Sequence, residues 1–241
     1  NFLCMSWPTC CKYFCEVRND NELLEAIDVV KKIRLPYKII AGGSNVVFPD
    51  KNLNCLLIKI KSNSLKVSGN KIIADAGVNL MKVIQSAIQR GLLGLETLSG
   101  IPGTLGGAII GNAGAYGHSI SEVIEKVEIL DGKKKRWLSN KDCDFYYRES
   151  IFKKKPYIIL QAVLKFKKGD FKKLKQISKD IIKIRLKKYK PGLRCPGSFF
   201  KNVLVKDVSA RSLKLIDKSK IIKDKIPAGY LLEEVGAKGM R

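Results

Sequence analysis

Seven glycines fall within residues 98–117, LSGIPGTLGGAIIGNAGAYG, at positions 100, 103, 106, 107, 111, 114 and 117. A packed helix does not use glycine at that density, since each costs roughly 0.5–1 kcal/mol relative to alanine. What glycine supplies is positive φ and close backbone approach, so that N–H groups can line a phosphate or a ring system. An ordinary surface loop is polar. This one carries Leu98, Ile101, Leu105, Ile109, Ile110 and Tyr116, and must pack against something. The chemistry expected of it is the cradling of a ligand. A second glycine loop, Ala41-Gly42-Gly43-Ser44-Asn45, follows Tyr37-Lys38-Ile39-Ile40, which reads as a short buried strand. Neither loop has the G-x-G-x-x-G of a dinucleotide-binding turn or the G-x-x-x-x-G-K-[ST] of a phosphate loop. Together they point to a diphosphate-containing cofactor held by a different fold.

The remaining reactive side chains argue against metal chemistry. Seven cysteines stand at positions 4, 10, 11, 15, 55, 143 and 195, with no C-x-x-C pair, and His118 is the only histidine. That spacing suits no zinc site, so no metal is expected, and reduced thiols fit best. The net charge of +24 comes from 46 lysines and arginines against 22 acidic residues. Such an excess ordinarily raises nucleic acid as a partner. Here it is mostly lysine, spread from Lys12 to Lys238, without arginines interleaved with aromatics. We read it as a solvated surface that attracts anionic small ligands, and expect neither a nucleic-acid nor a membrane partner. No run of eighteen apolar residues spans a bilayer, and no secretory signal is visible at the N-terminus. The chain starts at Asn1 and stops at Arg241, just after AKGM, so both ends read as cut and the chain as a fragment.

These loops need elements to hold them. Asn19 with Glu22 three residues on has capping-box spacing and starts a helix burying Leu23, Leu24, Ile27 and Val30, with Pro36 beyond its end. Cys55 to Ile60 reads as a strand, and residues 65–67 and 72–74 form a hairpin about Ser68-Gly69-Asn70. Asn79 caps a second helix that buries Leu80, Val83, Ile84, Ala87 and Ile88 and ends at Gly91. Residues 127–130 and 136–138 flank Asp131-Gly132 as another hairpin, and residues 157–166 form an apolar strand. Lys167-Lys168-Gly169 is the best boundary. The helix after it, from Phe171 to about Tyr189, should bury Phe171, Leu174, Ile177, Ile181 and Ile184.

Five segments, in order, carry a resemblance over nearly the whole chain. AGGSNVVFPD (41–50), GLETLSGIPGTLGGAIIGNAGAYG (94–117), YRESIFK (147–153), PGSFFKN (196–202) and AGYLLEEVGAKG (228–239) resemble the UDP-N-acetylenolpyruvoylglucosamine reductases, in their shorter type. The resemblance implies an α+β protein with a vanillyl-alcohol-oxidase-type FAD-binding domain over 1–167, in two lobes of about 1–60 and 61–167. A smaller α+β substrate domain would follow over 168–241, incomplete at its C-terminus. FAD, bound non-covalently, would lie between Gly42, Gly43, Ser44, Asn45 and Val46 on one side and Ser99, Gly100, Gly103, Thr104, Gly107, Asn112, Ala113, Gly114 and Ala115 on the other.

The implied reaction is NADPH-dependent reduction of UDP-N-acetylglucosamine enolpyruvate to UDP-N-acetylmuramate, in peptidoglycan precursor synthesis in the bacterial cytoplasm, by a monomer. By motif match, Arg148 is the cation that steadies the substrate carboxylate and Ser198 the proton donor, with Tyr147, Lys201 and Asn202 at the substrate. The segment MSWPTCCKYF (5–14) departs from the family pattern in lacking paired glycines. The family's C-terminal catalytic glutamate has no counterpart before Arg241, so the chain as it stands is expected to be a poor reductase. Two other readings remain. One is another flavin oxidoreductase of this fold, which PGSFFKN disfavours; the other is a non-catalytic basic module that binds anions.

Overall fold

The computed structural model describes residues 11–49, 52–188 and 200–237. Two sheets form the first unit, which runs over residues 1–195. Strand β1 (Cys11–Val17) leads into helix α1 (Asp20–Lys32), then β2 (Tyr37–Ile40) and β3 (Leu53–Ile60). The three strands pair in parallel in the order β1-β3-β2. The expected N-cap is present, though the return bond from Glu22 reaches the Arg18 amide and not that of Asn19. The Asn19 Oδ1 accepts from the Glu22 amide at 2.9 Å, and the Glu22 carboxylate accepts from the Arg18 amide at 2.7 Å. Leu23, Ile27 and Val30 are buried at i, i+4 and i+7, whereas Leu24 is only half-buried. Strand β2 was expected to be buried and is instead an edge strand whose residues are half-buried or exposed, because only β3 flanks it.

The second sheet is antiparallel. It comprises β4 (Leu65–Ser68), β5 (Lys71–Asp75), β6 (Ile124–Asp131), β7 (Lys134–Ser139) and β8 (Ile158–Lys165), in the order β7-β6-β8-β5-β4. Both expected hairpins are there. Between β5 and β6 the chain runs through α2 (Leu80–Gln89), the glycine-rich segment and the short helix α3 (Leu105–Ile110). The Asn79 side chain caps α2, accepting from the Met81 and Lys82 amides at 2.9 and 3.3 Å. Leu80, Val83, Ile84, Ala87 and Ile88 are buried as the periodicity required. At roughly 1.5–3 kcal/mol for a fully buried large aliphatic side chain, this stripe outweighs the intrinsic propensity of a ten-residue helix.

The glycine-rich segment is stitched to the residues between β5 and α2. The Leu80 amide donates to the Gly103 carbonyl, Leu105 to Val78 and Gly106 to Ala76, at 2.8–3.0 Å. Glycine is needed at 106, since a Cβ there would lie 2.9 Å from the Ala76 Cβ and 3.1 Å from its carbonyl oxygen.

Helix α4 (Phe171–Lys188) buries Leu174 and Ile181 as expected, but its buried face is turned away from the other three residues of the expected stripe. Leu174, Ser178 and Ile181 are buried, while Phe171, Ile177 and Ile184 are 42, 39 and 50 % exposed. A buried hydroxyl pair explains the rotation: Ser178 Oγ lies 2.7 Å from Ser99 Oγ. Because α4 packs on the glycine segment, its contacts belong to the first unit. The division falls between residues 195 and 196, whereas the sequence put it after residue 167. The second unit, residues 196–241, pairs β9 (Val203–Leu204) with β10 (Lys225–Ile226) and carries α5 (Ala210–Leu213) and α6 (Ala228–Glu234). Ile226 and Ala228 are its buried apolar residues among those described. The α+β class expected from the sequence is the one observed.

Candidate cofactor and substrate site

The two glycine loops meet inside the first unit. A Cβ on Gly42 would sit 3.3 Å from the Gly103 Cα, and one on Gly103, whose φ is +116°, would sit 3.0 Å from the Ser44 Oγ. The Ser44 hydroxyl donates to the Pro102 carbonyl at 3.4 Å. Thr104 caps α3, its Oγ1 accepting from the Gly107 amide at 3.4 Å. Among the described residues, none of the backbone amides of Gly42, Gly43, Ser44, Asn45, Gly103 and Thr104 donates to a protein acceptor. Closely approaching backbone, small side chains and a set of uncommitted N–H donors are what an anionic diphosphate requires. The residues fit FAD.

Two residues expected at the cofactor turn their side chains elsewhere. Ser99 is fully buried, and its hydroxyl is committed to Ser178. Asn112 is 7 % exposed; its Nδ2 donates to the Tyr146 carbonyl at 2.8 Å, and its Oδ1 accepts from the Ser121 amide at 3.3 Å. Their main-chain amides are committed as well, donating to the Glu96 and Ile109 carbonyls at 3.3 and 3.1 Å. Gly100, with φ +80°, approaches the Arg185 side chain on α4. Gly114 and Ala115 form a two-residue ladder with His118 and Ser119, and Ala113 and Val46 are half-buried.

Arg148 and Tyr147 occupy a tight turn. The Tyr146 amide donates to the Glu149 carbonyl at 3.1 Å and the Glu149 amide to the Tyr146 carbonyl at 3.2 Å, which leaves Tyr147 and Arg148 at the apex. Arg148 has a φ of +59°, in the left-handed region. Its guanidinium stands 5.7 Å from the centre of the Tyr147 ring, and its carbonyl accepts from Lys153 Nζ at 2.6 Å. Ser150, fully buried, donates through Oγ to the Ile110 carbonyl at 2.7 Å. Glycine segment and arginine turn are therefore joined by two side-chain hydrogen bonds.

The structure thus brings the two expected halves of the cofactor cradle together and links the Arg148 turn to one of them. Ser198 lies outside the described residues. Lys201 is exposed in the second unit, where the Asn202 Oδ1 accepts from the Ala228 amide at 3.2 Å and supports the start of α6. Sequence reasoning missed Ser150 and Ser178, for a serine gives no sign of burial. Asn112 did carry a signal, since asparagine just past a helix end is the usual non-glycine choice for a left-handed cap. Among the described residues, no cluster of three or more metal-ligating side chains occurs, and no helix is long and apolar enough to cross a membrane.

Comparison with known proteins agrees with this geometry. Residues 11–135 match the FAD binding domain family. The UDP-N-acetylenolpyruvoylglucosamine reductase of Solibacter usitatus is 39 % identical over 95 % of this chain and 73 % of its own length. That of Alkaliphilus oremlandii is 40 % identical over 75 % of this chain and 60 % of its own. The crystal structure of UDP-N-acetylenolpyruvylglucosamine reductase from Thermus caldophilus superposes with a TM-score of 0.73 at 25 % identity, covering 95 % of this chain and 74 % of that one. The chain spans roughly three fifths to three quarters of these relatives.

Proposed function

The chain belongs to the UDP-N-acetylenolpyruvoylglucosamine reductase family, and from that premise we propose that it binds FAD between its two glycine loops and takes a UDP-sugar enolpyruvyl ether as substrate. The observation that carries this reading is the contact of Gly42 with Gly103, beside backbone amides that no described protein acceptor uses. Those amides would hold the diphosphate, with the excess of lysine drawing in anionic ligands.

FAD held there would supply hydride chemistry toward the enolpyruvyl group, with NADPH as the reductant. The residues around the substrate would then have to meet negative charge on the enolpyruvyl carbon and its carboxylate. In this reading Arg148 holds that carboxylate through the fork of its guanidinium, an interaction that strengthens as the carboxylate becomes more basic. The Arg148 guanidinium lies over the Tyr147 ring, 5.7 Å from its centre. Ser198 would deliver the proton to the carbon, and Lys201 and Asn202 would meet the sugar nucleotide. The setting is peptidoglycan precursor synthesis in a bacterial cytoplasm.

The test starts from the purified chain. It should be yellow, and denaturation should release free FAD into the supernatant. Anaerobic NADPH should bleach the flavin, and the enolpyruvyl nucleotide should perturb the visible spectrum of the oxidised form. A colourless protein that takes up no added FAD would refute the proposal.

A further inference from the structure

We propose that Asn112 is a positioning residue that sets Arg148 for the substrate carboxylate by tying the Tyr147–Arg148 turn to the end of the cofactor-cradling segment. The inference rests on the role given to Arg148 above. Asn112 occupies the left-handed position after α3, with φ +39°. Its amide donates to the Ile109 carbonyl and the Ala113 amide to that of Ala108, the double closure of a helix C-terminus. Backbone conformation and burial together fix where its side chain points. Both ends of that side chain are used, and one of them grips Tyr146, the residue just before the apex of the turn.

Ser150 grips the other side. Its hydroxyl reaches back to Ile110, two residues before Asn112. The arginine turn is therefore tied at its entry to Asn112, just past α3, and at its exit to Ile110, the last residue of α3. The first residues of that helix follow Gly103 and Thr104, which face the 42–44 loop. Six helical residues thus join the cofactor cradle to Arg148, a span of about 9 Å at 1.5 Å per residue. Four of the six residues, Leu105, Gly106, Ala108 and Ile109, are buried, which fixes the helix against the core of the first unit. A displacement of 1 Å at a reacting group costs about 10²-fold, so the two clamps matter more to the carboxylate than to the nucleotide.

Asn112→Asp tests this most directly. It keeps an oxygen for the Ser121 amide and a residue type that tolerates positive φ, but turns the donor to Tyr146 into a charged acceptor, which breaks that bond and adds a buried negative charge. Ser150→Ala removes the other clamp without adding charge, and serves alone should Asn112→Asp fail to fold. FAD-loaded protein is titrated with the enolpyruvyl nucleotide and with UDP-N-acetylglucosamine, which lacks the carboxylate, following the flavin spectrum. FAD affinity is measured separately by flavin fluorescence. Wild type should prefer the enolpyruvyl ligand, and Arg148→Ala should abolish that preference. Each clamp variant should cut it by about tenfold while leaving the affinities for FAD and UDP-N-acetylglucosamine unchanged.

A preference lost in Arg148→Ala but intact in both clamp variants overturns the positioning role alone. Equal weakening of FAD and both nucleotides in the clamp variants also overturns it, since that marks general loosening. A preference that survives Arg148→Ala removes the reading of Arg148 itself.

Discussion

Arg148 should lower the stability of the fold that carries it. Its φ of +59° lies where a residue with a Cβ pays about 1–2 kcal/mol relative to the right-handed region. Position i+2 of such a turn is where glycine is usually found. Arg148→Ala keeps the Cβ and hence the strain, whereas Arg148→Gly removes it. Glycine's greater freedom in the unfolded chain returns roughly 0.5–1 kcal/mol of that gain. Both variants lose the contact with the Tyr147 ring at 5.7 Å, so it cancels in the comparison. Arg148→Gly should therefore be more stable than Arg148→Ala by about 0.5–1 kcal/mol, or about 1–4 °C in Tm for a chain of this size. The assay is thermal unfolding at saturating FAD, with enolpyruvyl-nucleotide binding measured alongside. Both variants should lose the preference for the carboxylate-bearing ligand. If Arg148→Ala melts at or above Arg148→Gly, the turn carries no strain and the reasoning fails.

Two further outcomes follow from buried groups. Ser178→Ala strands the buried Ser99 hydroxyl and should cost about 1–3 kcal/mol, read from the urea midpoint. The double variant with Ser99→Ala should recover part of that loss, and a midpoint that stays put on Ser178→Ala would show that the pair contributes nothing. Burial, with the Asp142 charge beside it, pushes the Cys143 thiol from an ordinary 9.0 up to about 12. Between those values the unfolded chain has released a proton that the folded chain keeps, so this thiol makes stability fall as pH rises above about 9 and does nothing below it. Cys143→Ala should flatten the alkaline limb of a stability–pH profile, and in the native protein Cys143 should resist alkylation near neutral pH.

Helices α1 and α2 were legible because capping side chains and an apolar period of 3.6 said the same thing. The glycine loops were legible because no other use of so many small residues fits an apolar segment. Strand β1 was not. Lys12, Tyr13 and Phe14 are all exposed, so the strand carries no alternation and is held by its parallel pairing to β3. The buried face of α4 was misread since Ile177 and Ile184 look like core, while the contact that sets its rotation comes from Ser178 and, across the unit, Ser99. Among site residues, motif and spacing pointed to Gly42, Gly103 and Arg148. The contacts proposed as clamps run from Asn112 and Ser150 to the carbonyls of Tyr146 and Ile110, far off in sequence, so although asparagine past a helix end marked the Asn112 backbone, nothing local marked where either side chain would bond.

The order in which the ribosome releases these segments bears on when the cofactor can enter. Strand β5 pairs with β8 through the register from Asp75 with Gln161 to Lys71 with Lys165, and the Ala76 amide is satisfied by the Leu160 carbonyl. Ala76 in turn anchors Gly106. The whole glycine segment therefore sits inside a loop that cannot close until β8 has been synthesised. Long-range pairings of this kind form late, after their closure entropy has been met. A nascent chain halted before Ile158 holds both glycine loops and their mutual contacts in sequence, but lacks the strand on which β5 and the Ala76 anchor of the glycine segment are paired. Stable flavin uptake is therefore expected only once β8 has paired, and a chain released before that point should not gain the stabilisation that a bound ligand gives.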